Sequence, residues 1–293
     1  MDTHGRSGDP LRVLNGEIVG CRRCPRLVAH REAVALAPPR RFRGERYAAR
    51  PLSGFGDRRA RLLLIGLAPA AHGGNRTGRI FTGDRSGDWL FRALWEARFA
   101  SQAESARADD GLRLRDAYVT AAVRCAPPGN KPTTREMRRC EPYLLRELEL
   151  LRRVRVVIAL GRIAWQAYLR ARRLLGRPLP GRAPIFAHGA VVRFADGVTL
   201  IGSYHPSQQN TFTGKLTRPM FRRVFTTARR ALAGRARRPG ADRSDRDRRP
   251  AARIGRGAPL RASRPAHPDG LGHAPRITPD RRDRRAGGGV RRR

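Results

Sequence analysis

The stretch Leu62–Asp88, LLLIGLAPAAHGGNRTGRIFTGDRSGD, decides how the rest of the chain is read. Its first four residues, Leu62 to Ile65, are a short apolar run closed by Gly66, the pattern of a buried strand. Six glycines and one proline follow, with Asn75, Arg76, Arg79, Phe81 and Asp84 among them. Asp88 is placed to cap an amphipathic helix carrying Leu90, Phe91, Leu94 and Trp95. A loop this long between strand and helix is uncommon, and is either functional or a plain surface Ω-loop. Its composition suits a ligand: glycines admit backbone N–H groups, arginines meet phosphates, and Phe81 can stack on a ring.

Outward from this loop, three more apolar runs read as strands: Ala117–Val123, Val154–Leu160 and Val198–Tyr204. Helical stretches lie between them. One opens at Thr133-Thr134-Arg135-Glu136, the spacing of a capping box, and turns Met137, Cys140, Leu144, Leu148 and Leu151 inward. Another follows Gly161, with Ile163, Ala164, Ala167 and Tyr168 on its apolar side. A last one, near Pro219 to Leu232, presents Met220, Val224, Phe225 and Ala228. Residues 1–20 hold a possible short helix, residues 25–57 read as an Arg- and Pro-rich connection, and Phe186–Phe194 as an extra strand or hairpin near an edge. Strands alternating with helices predict an α/β fold, a parallel sheet covered on both faces. Each unusual polar segment follows a strand: the glycine-rich loop, Arg124–Asn130, Gly161-Arg162 and His205–Asn210. Ligands of open α/β sheets bind at that end of the strands.

The 293 residues carry a formal net charge of +39, nearly all from arginine; Lys131 and Lys215 are the only lysines. A GC-rich genome encodes such a composition too, yet the surface binds polyanions by counterion release whatever its origin. Nucleic acid is the first partner to expect. No apolar run reaches membrane-spanning length and residues 1–10 lack the core of a signal peptide, so a cytoplasmic, soluble protein is expected. Residues 235–293 hold nineteen arginines, six aspartates and no cysteine or aromatic residue, a composition that cannot bury a core. They are expected to be disordered, either as neutral sequence or as a basic arm that adds non-specific DNA affinity.

Two clusters can carry chemistry. Cys21 and Cys24 form a CxxC; Cys125 follows a strand and Cys140 lies in a helix. By spacing alone, four such thiols admit a 4Fe–4S cluster, a zinc site or no joint role. His205, at a strand end, can offer a ring N–H to a developing anion, although a strand-end histidine is more often structural, as are His72 and His188 by default. Ser207, Gln208, Gln209 and Asn210 add donors for a phosphate or an orphaned base.

Taken together, GLAPAAHGGNRTGRIFTGD (66–84), RCAPPGN (124–130), YHPSQQN (204–210) and the four cysteines resemble a family 5, or type b, uracil-DNA glycosylase. The resemblance covers about residues 15–233. It implies a three-layer α/β/α fold on a four-stranded parallel sheet, a 4Fe–4S cluster on Cys21, Cys24, Cys125 and Cys140, and excision of uracil from DNA by a chain expected to be monomeric. It implies that Phe81 stacks on the flipped base and His205 bonds its O2. The Asp or Asn that relatives place before the motif proline is Ala68 here, so Ala68 stays in the base-binding segment without a catalytic task. Asp84 is the carboxylate left to act as base and cation stabiliser, unless it only caps the next turn. Asn130 is the candidate polar contact to base or water, with Asn75 as fallback and Ser207 as a further substrate contact. Ala121 and Ala122 stand where several relatives carry an Asn, which implies a wider range of deaminated bases. A DNA-binding protein that keeps the scaffold with little catalysis is the competing expectation; Asp84, His205 and Phe81 favour the enzyme.

Overall fold

The computed structural model describes residues 8–234; the expectation of a disordered arm at 235–293 lies outside them. Pro10–Val19 forms α1, with Asp9 as its cap, so ordered structure begins ahead of residue 15. Pro25–Leu36, expected as connection, is instead a second helix, α2, with proline at its first position where no N–H is needed. The sequence then alternates: β1 (Phe55–Gly56), β2 (Leu62–Gly66), a single turn α3 (Gly74–Thr77), α4 (Arg85–Glu96), β3 (Ala117–Ala121), α5 (Thr134–Leu150), β4 (Val156–Leu160), α6 (Arg162–Leu174), β5 (Val191–Arg193), β6 (Thr199–Ser203), α7 (Gln208–Phe212) and α8 (Arg218–Ala233).

The sheet has six strands rather than four, in the order β1-β3-β2-β4-β6-β5. The four expected strands form its parallel centre, Leu62 beside Ala117 and Val156 on its two sides. The additional strands are short and antiparallel, β1 on β3 and β5 on β6. Their two or three residues are too few to leave an apolar run, which hides β1 from a reading of periodicity; β5 falls within the segment expected as an edge strand.

Alternation along the central strands builds two cores. Leu62, Leu64, Val119, Ile158 and Ile201 pack under α4 and α8. Leu63, Ile65, Val157, Ala159 and Leu200 face α1, α5 and α6 on the other side. The expected capping box at Thr133 is present in full, and Cys140, Leu144 and Leu148 are buried as expected, although α5 holds Pro142 within it. Trp95 and Ile163 depart from expectation: they are 47% and 37% exposed, each lying at the edge of its helix's apolar stripe.

The order of strands has a consequence for function. From β2 the chain passes to β3 on one side and, after it, to β4 on the other. The reversal makes β2 the topological switch point, where the crossovers diverge and leave a crevice. The glycine-rich loop leaves the sheet there.

Candidate active site

Close backbone approaches position Phe81 and Asp84 of the expected site. A Cβ on Gly66 would stand 2.6 Å from the Phe81 ring, and one on Gly87 only 1.9 Å from the Phe81 carbonyl oxygen. Phe81 is thus held between the end of β2 and the first turn of α4, with a left-handed backbone (φ 54°) that costs a non-glycine residue about 1–2 kcal/mol. Its ring faces His205, with centroids 5.8 Å apart and planes 29° apart. A Cβ on Gly73 would meet Asp84 Oδ2 at 2.0 Å, so the carboxylate lies across the bare backbone of the loop.

Asp84 also caps α4: Oδ1 accepts the Gly87 N–H at 2.9 Å. The cap therefore sits four residues before the expected Asp88, which lies exposed in the first turn. Both readings of Asp84 meet in one side chain, with one oxygen at the cap and the other against Gly73. Burial pushes its carboxyl above the ordinary carboxylate range, against the N–H groups of Gly87 and Ser86, which pull it down. Burial pushes His205 down to about 4. The imidazole is neutral at pH 7 and can donate a ring N–H but not a proton. Asn210 Nδ2 donates to the His205 carbonyl at 2.9 Å, and Ser207 Oγ accepts the Asn210 N–H at 3.4 Å as the cap of α7.

Arg76 and Arg79 of the loop are engaged by protein partners, in the loop and outside it, instead of facing phosphate. Arg76 Nε donates to the His72 carbonyl and Nη2 to the Gly83 carbonyl, both at 2.9 Å, while its third nitrogen pairs with Glu45. Arg79, 6% exposed, donates through Nε to Thr82 Oγ1 and through Nη2 to Ser105 Oγ and both carboxylate oxygens of Asp110. Neither partner could be found from sequence, because Ser105 and Asp110 lie on a separate loop after α4. Asn75 is buried, with Nδ2 donating to the Arg31 carbonyl at 3.2 Å. Asn130 ends a tight turn at φ 58°, exposed. Ala68 is half-buried against the core under α5. His72 Nδ1 bonds Tyr47 Oη at 2.9 Å and His188 Nδ1 accepts the Tyr204 N–H at 3.1 Å, so both serve the scaffold.

The four cysteines, all free thiols, line one pocket where α2, the loop after β3 and α5 meet. Burial raises the thiols of Cys24 and Cys125, and that of Cys140 to about 12. Arginines surround them. Arg31 Nη1 donates to Cys125 Sγ at 3.1 Å and the Arg124 N–H to Cys140 Sγ at 3.3 Å. Arg139 Nη1 donates to the Arg23 carbonyl between Cys21 and Cys24 at 2.9 Å. Arg124 is itself buried on Glu147 through two bonds of 3.0 and 2.6 Å. Among the described residues no three His, Cys, Asp or Glu side chains stand close enough to hold a single metal ion.

The sequence profile of the uracil DNA glycosylase superfamily matches residues 53–229, from just before β1 to the last turn of α8. The chain belongs to this superfamily. Type-5 uracil-DNA glycosylases are its nearer kin: the Thermus thermophilus protein is 54% identical over 217 residues, 74% of this chain and 95% of that one. The Mycobacterium bovis protein is 50% identical over 222 residues, 75% of this chain and 81% of its own. A type-4 uracil-DNA glycosylase, from Archaeoglobus fulgidus, is 30% identical over 151 residues, 51% of this chain and 59% of its own. Within the superfamily the chain sits with type 5. No helix among the described residues is long and apolar enough to cross a membrane.

Proposed function

We propose that the chain is a monofunctional DNA glycosylase, active as a monomer, that removes uracil and other deaminated bases from DNA and leaves an abasic site. The observation that supports this reading best is the pairing of the Phe81 and His205 rings beyond the switch strand β2, with Asp84 lying against Gly73 of the same glycine-rich loop. A base in a duplex must be flipped out, at the cost of its stacking. Phe81 offers a ring face in return. As the glycosidic bond breaks, negative charge grows on the base and positive charge on the sugar. Neutral His205 donates its N–H to the base's O2 where the anion forms, a contact worth most in a site shielded from water. Asp84 Oδ2 takes a proton from the attacking water and faces the sugar cation. Ala121 and Ala122, both buried at the end of β3, offer no side-chain amide to read the base edge, which favours a broader substrate range.

Water is the nucleophile in this reading. An amine nucleophile needs a desolvated lysine, and Lys131 and Lys215 are both exposed. Single-turnover assay of a uracil-containing duplex tests the proposal: the product is an intact abasic strand, cut only after alkali, with no borohydride-trapped adduct. An adduct lost in Lys131→Arg overturns the mechanism; no excision at all overturns the function.

The residues suit a 4Fe–4S cluster held by Cys21, Cys24, Cys125 and Cys140. Two buried donors near these thiols, Arg31 Nε and Arg124 Nε, have no protein partner and are the kind of group that bonds cluster sulfur. When bound, the cluster is a structural cross-link and takes no part in hydrolysis. Four irons per chain in anaerobically purified protein are expected, and one zinc without iron refutes the assignment.

A further inference from the structure

Arg31 has no place in the steps above, yet it is 2% exposed and touches both special regions of the molecule. From the middle of α2 its guanidinium reaches Cys125 Sγ at 3.1 Å and the Cys21 carbonyl at 3.5 Å. Its backbone carbonyl accepts the Asn75 side-chain N–H at 3.2 Å. Asn75 lies in α3, inside the glycine-rich loop, and precedes Arg76, whose guanidinium joins the His72 and Gly83 carbonyls at 2.9 Å each. The next residue after Gly83 is Asp84. Arg31, Asn75 and Arg76 therefore span from a cysteine sulfur to the backbone beside the candidate base.

We propose that Arg31, Asn75 and Arg76 form a tie through which the cysteine pocket positions the loop that carries Phe81 and Asp84. The proposal rests on the roles given to the cluster and to Asp84 above. Its physical ground is the strain at Phe81. A left-handed non-glycine residue persists only where its surroundings over-determine it. Within the loop, Arg76 closes the ring of backbone from residue 72 to residue 83 and pairs with Glu45, while the Gly83 N–H donates to the Ser105 carbonyl and the Ala48 and Ala49 N–H groups donate to the Arg76 and Asn75 carbonyls. The Asn75 amide joins this ring to α2, the helix that follows the CxxC, by gripping one of its backbone carbonyls. A filled pocket holds α2 in place and with it the loop; an empty one frees both. All three are positioning residues, since none touches the base.

Hydrogen exchange of amides 67–84 reads the tie directly, on full-length protein as purified and after chelation of its metal. Asn75→Ala is expected to keep its metal and visible absorbance while these amides exchange at least tenfold faster than in wild type. Single-turnover excision falls about tenfold with KM little changed. Chelation of wild type reproduces the faster exchange, whereas chelation of Asn75→Ala adds little to it, because the link is already cut. Unchanged exchange in Asn75→Ala, or in chelated wild type, overturns the proposal. Should the protein as purified carry no iron, the cluster assignment fails, and exchange in Asn75→Ala still decides the tie. Should Asp84→Asn keep full excision while Asn75→Ala loosens the loop, the catalytic reading fails and the tie stands.

Discussion

In the glycine-rich loop, residues 66–84, arginines bind carbonyl oxygens, hydroxyls and carboxylates; around the four cysteines they bind sulfur as well. Arg76 and Arg79 shape a loop that leaves Asp84 Oδ2 without a bond inside the protein. Arg31 and Arg124 instead line a pocket in which Cys125 and Cys140 are buried and Cys21 and Cys24 half-buried. Both regions use the residue type that gives the chain its charge, and both withdraw it from solvent. Net charge is thus a poor guide to which arginines meet DNA: several of those in the motifs hold the fold.

The comparison breaks most visibly at Glu147. This carboxylate, 0% exposed, neutralises Arg124 beside the cysteines. Glu147→Gln leaves a buried guanidinium without its counter-charge and is expected to cost about 3–5 kcal/mol of stability in denaturant unfolding. A loss below about 1 kcal/mol would mean that the pair is solvated like a surface one.

The loop is expected to respond in rate, not in stability. Asp84→Asn keeps a good helix cap, because Asn serves at that position as well as Asp. It removes only the charge, and single-turnover excision should drop roughly a hundredfold or more with DNA affinity little altered. Unchanged excision would pass the role to Asn130. The pH profile sharpens this. A carboxylate base must be ionised, so activity is lost as pH falls through the pKa of Asp84, which burial has raised; the acid limb should lie above the usual carboxylate range.

Acid also tests how the N-terminal segment is held. Arg26 grips Glu136 through two bonds of 2.8 Å and holds its carboxyl down at about 2. A lowered folded-state pKa contributes stability that is complete above the unfolded value of 4.5 and lost as pH falls towards 2. Glu136→Gln should remove roughly 1–3 kcal/mol at pH 7, discounted for the exposed Arg26, and flatten stability across that window. The smallest effect on chemistry is expected from deleting residues 235–293. Excision at saturating enzyme should persist while the salt dependence of DNA binding becomes shallower.

The four central strands, the capping box at Thr133 and the chemistry-bearing loops were legible because each depends on local pattern: apolar runs, a four-residue cap, a strand end. Phe81, Asp84 and His205 were singled out through the motifs around them, and the Phe81 and His205 rings lie 5.8 Å apart in the fold. What escaped was pairing across distance. Nothing near Arg79 in the chain points to Asp110, nor near Arg26 to Glu136, since such bonds are set by the packing of separate elements. The start of α4 at Arg85, ahead of the expected cap at Asp88, was missed for a subtler reason. Arg85-Ser86-Gly87 is a poor helical start by propensity, and it is helical because Gly87 alone lets the turn lie against the Phe81 carbonyl.

The two edge strands bear on how crowded chains behave. An open parallel sheet ends in rows of unpaired amides that invite another sheet to dock, the first step towards aggregation. Here each flank is finished by a strand of two or three residues, β1 and β5, running against its neighbour. So brief a border offers an incoming chain few amides to pair with, and on the β5 side it closes with an exposed Arg193. The molecule can then be packed densely on a polyanion, many copies side by side, with little risk that their sheets fuse.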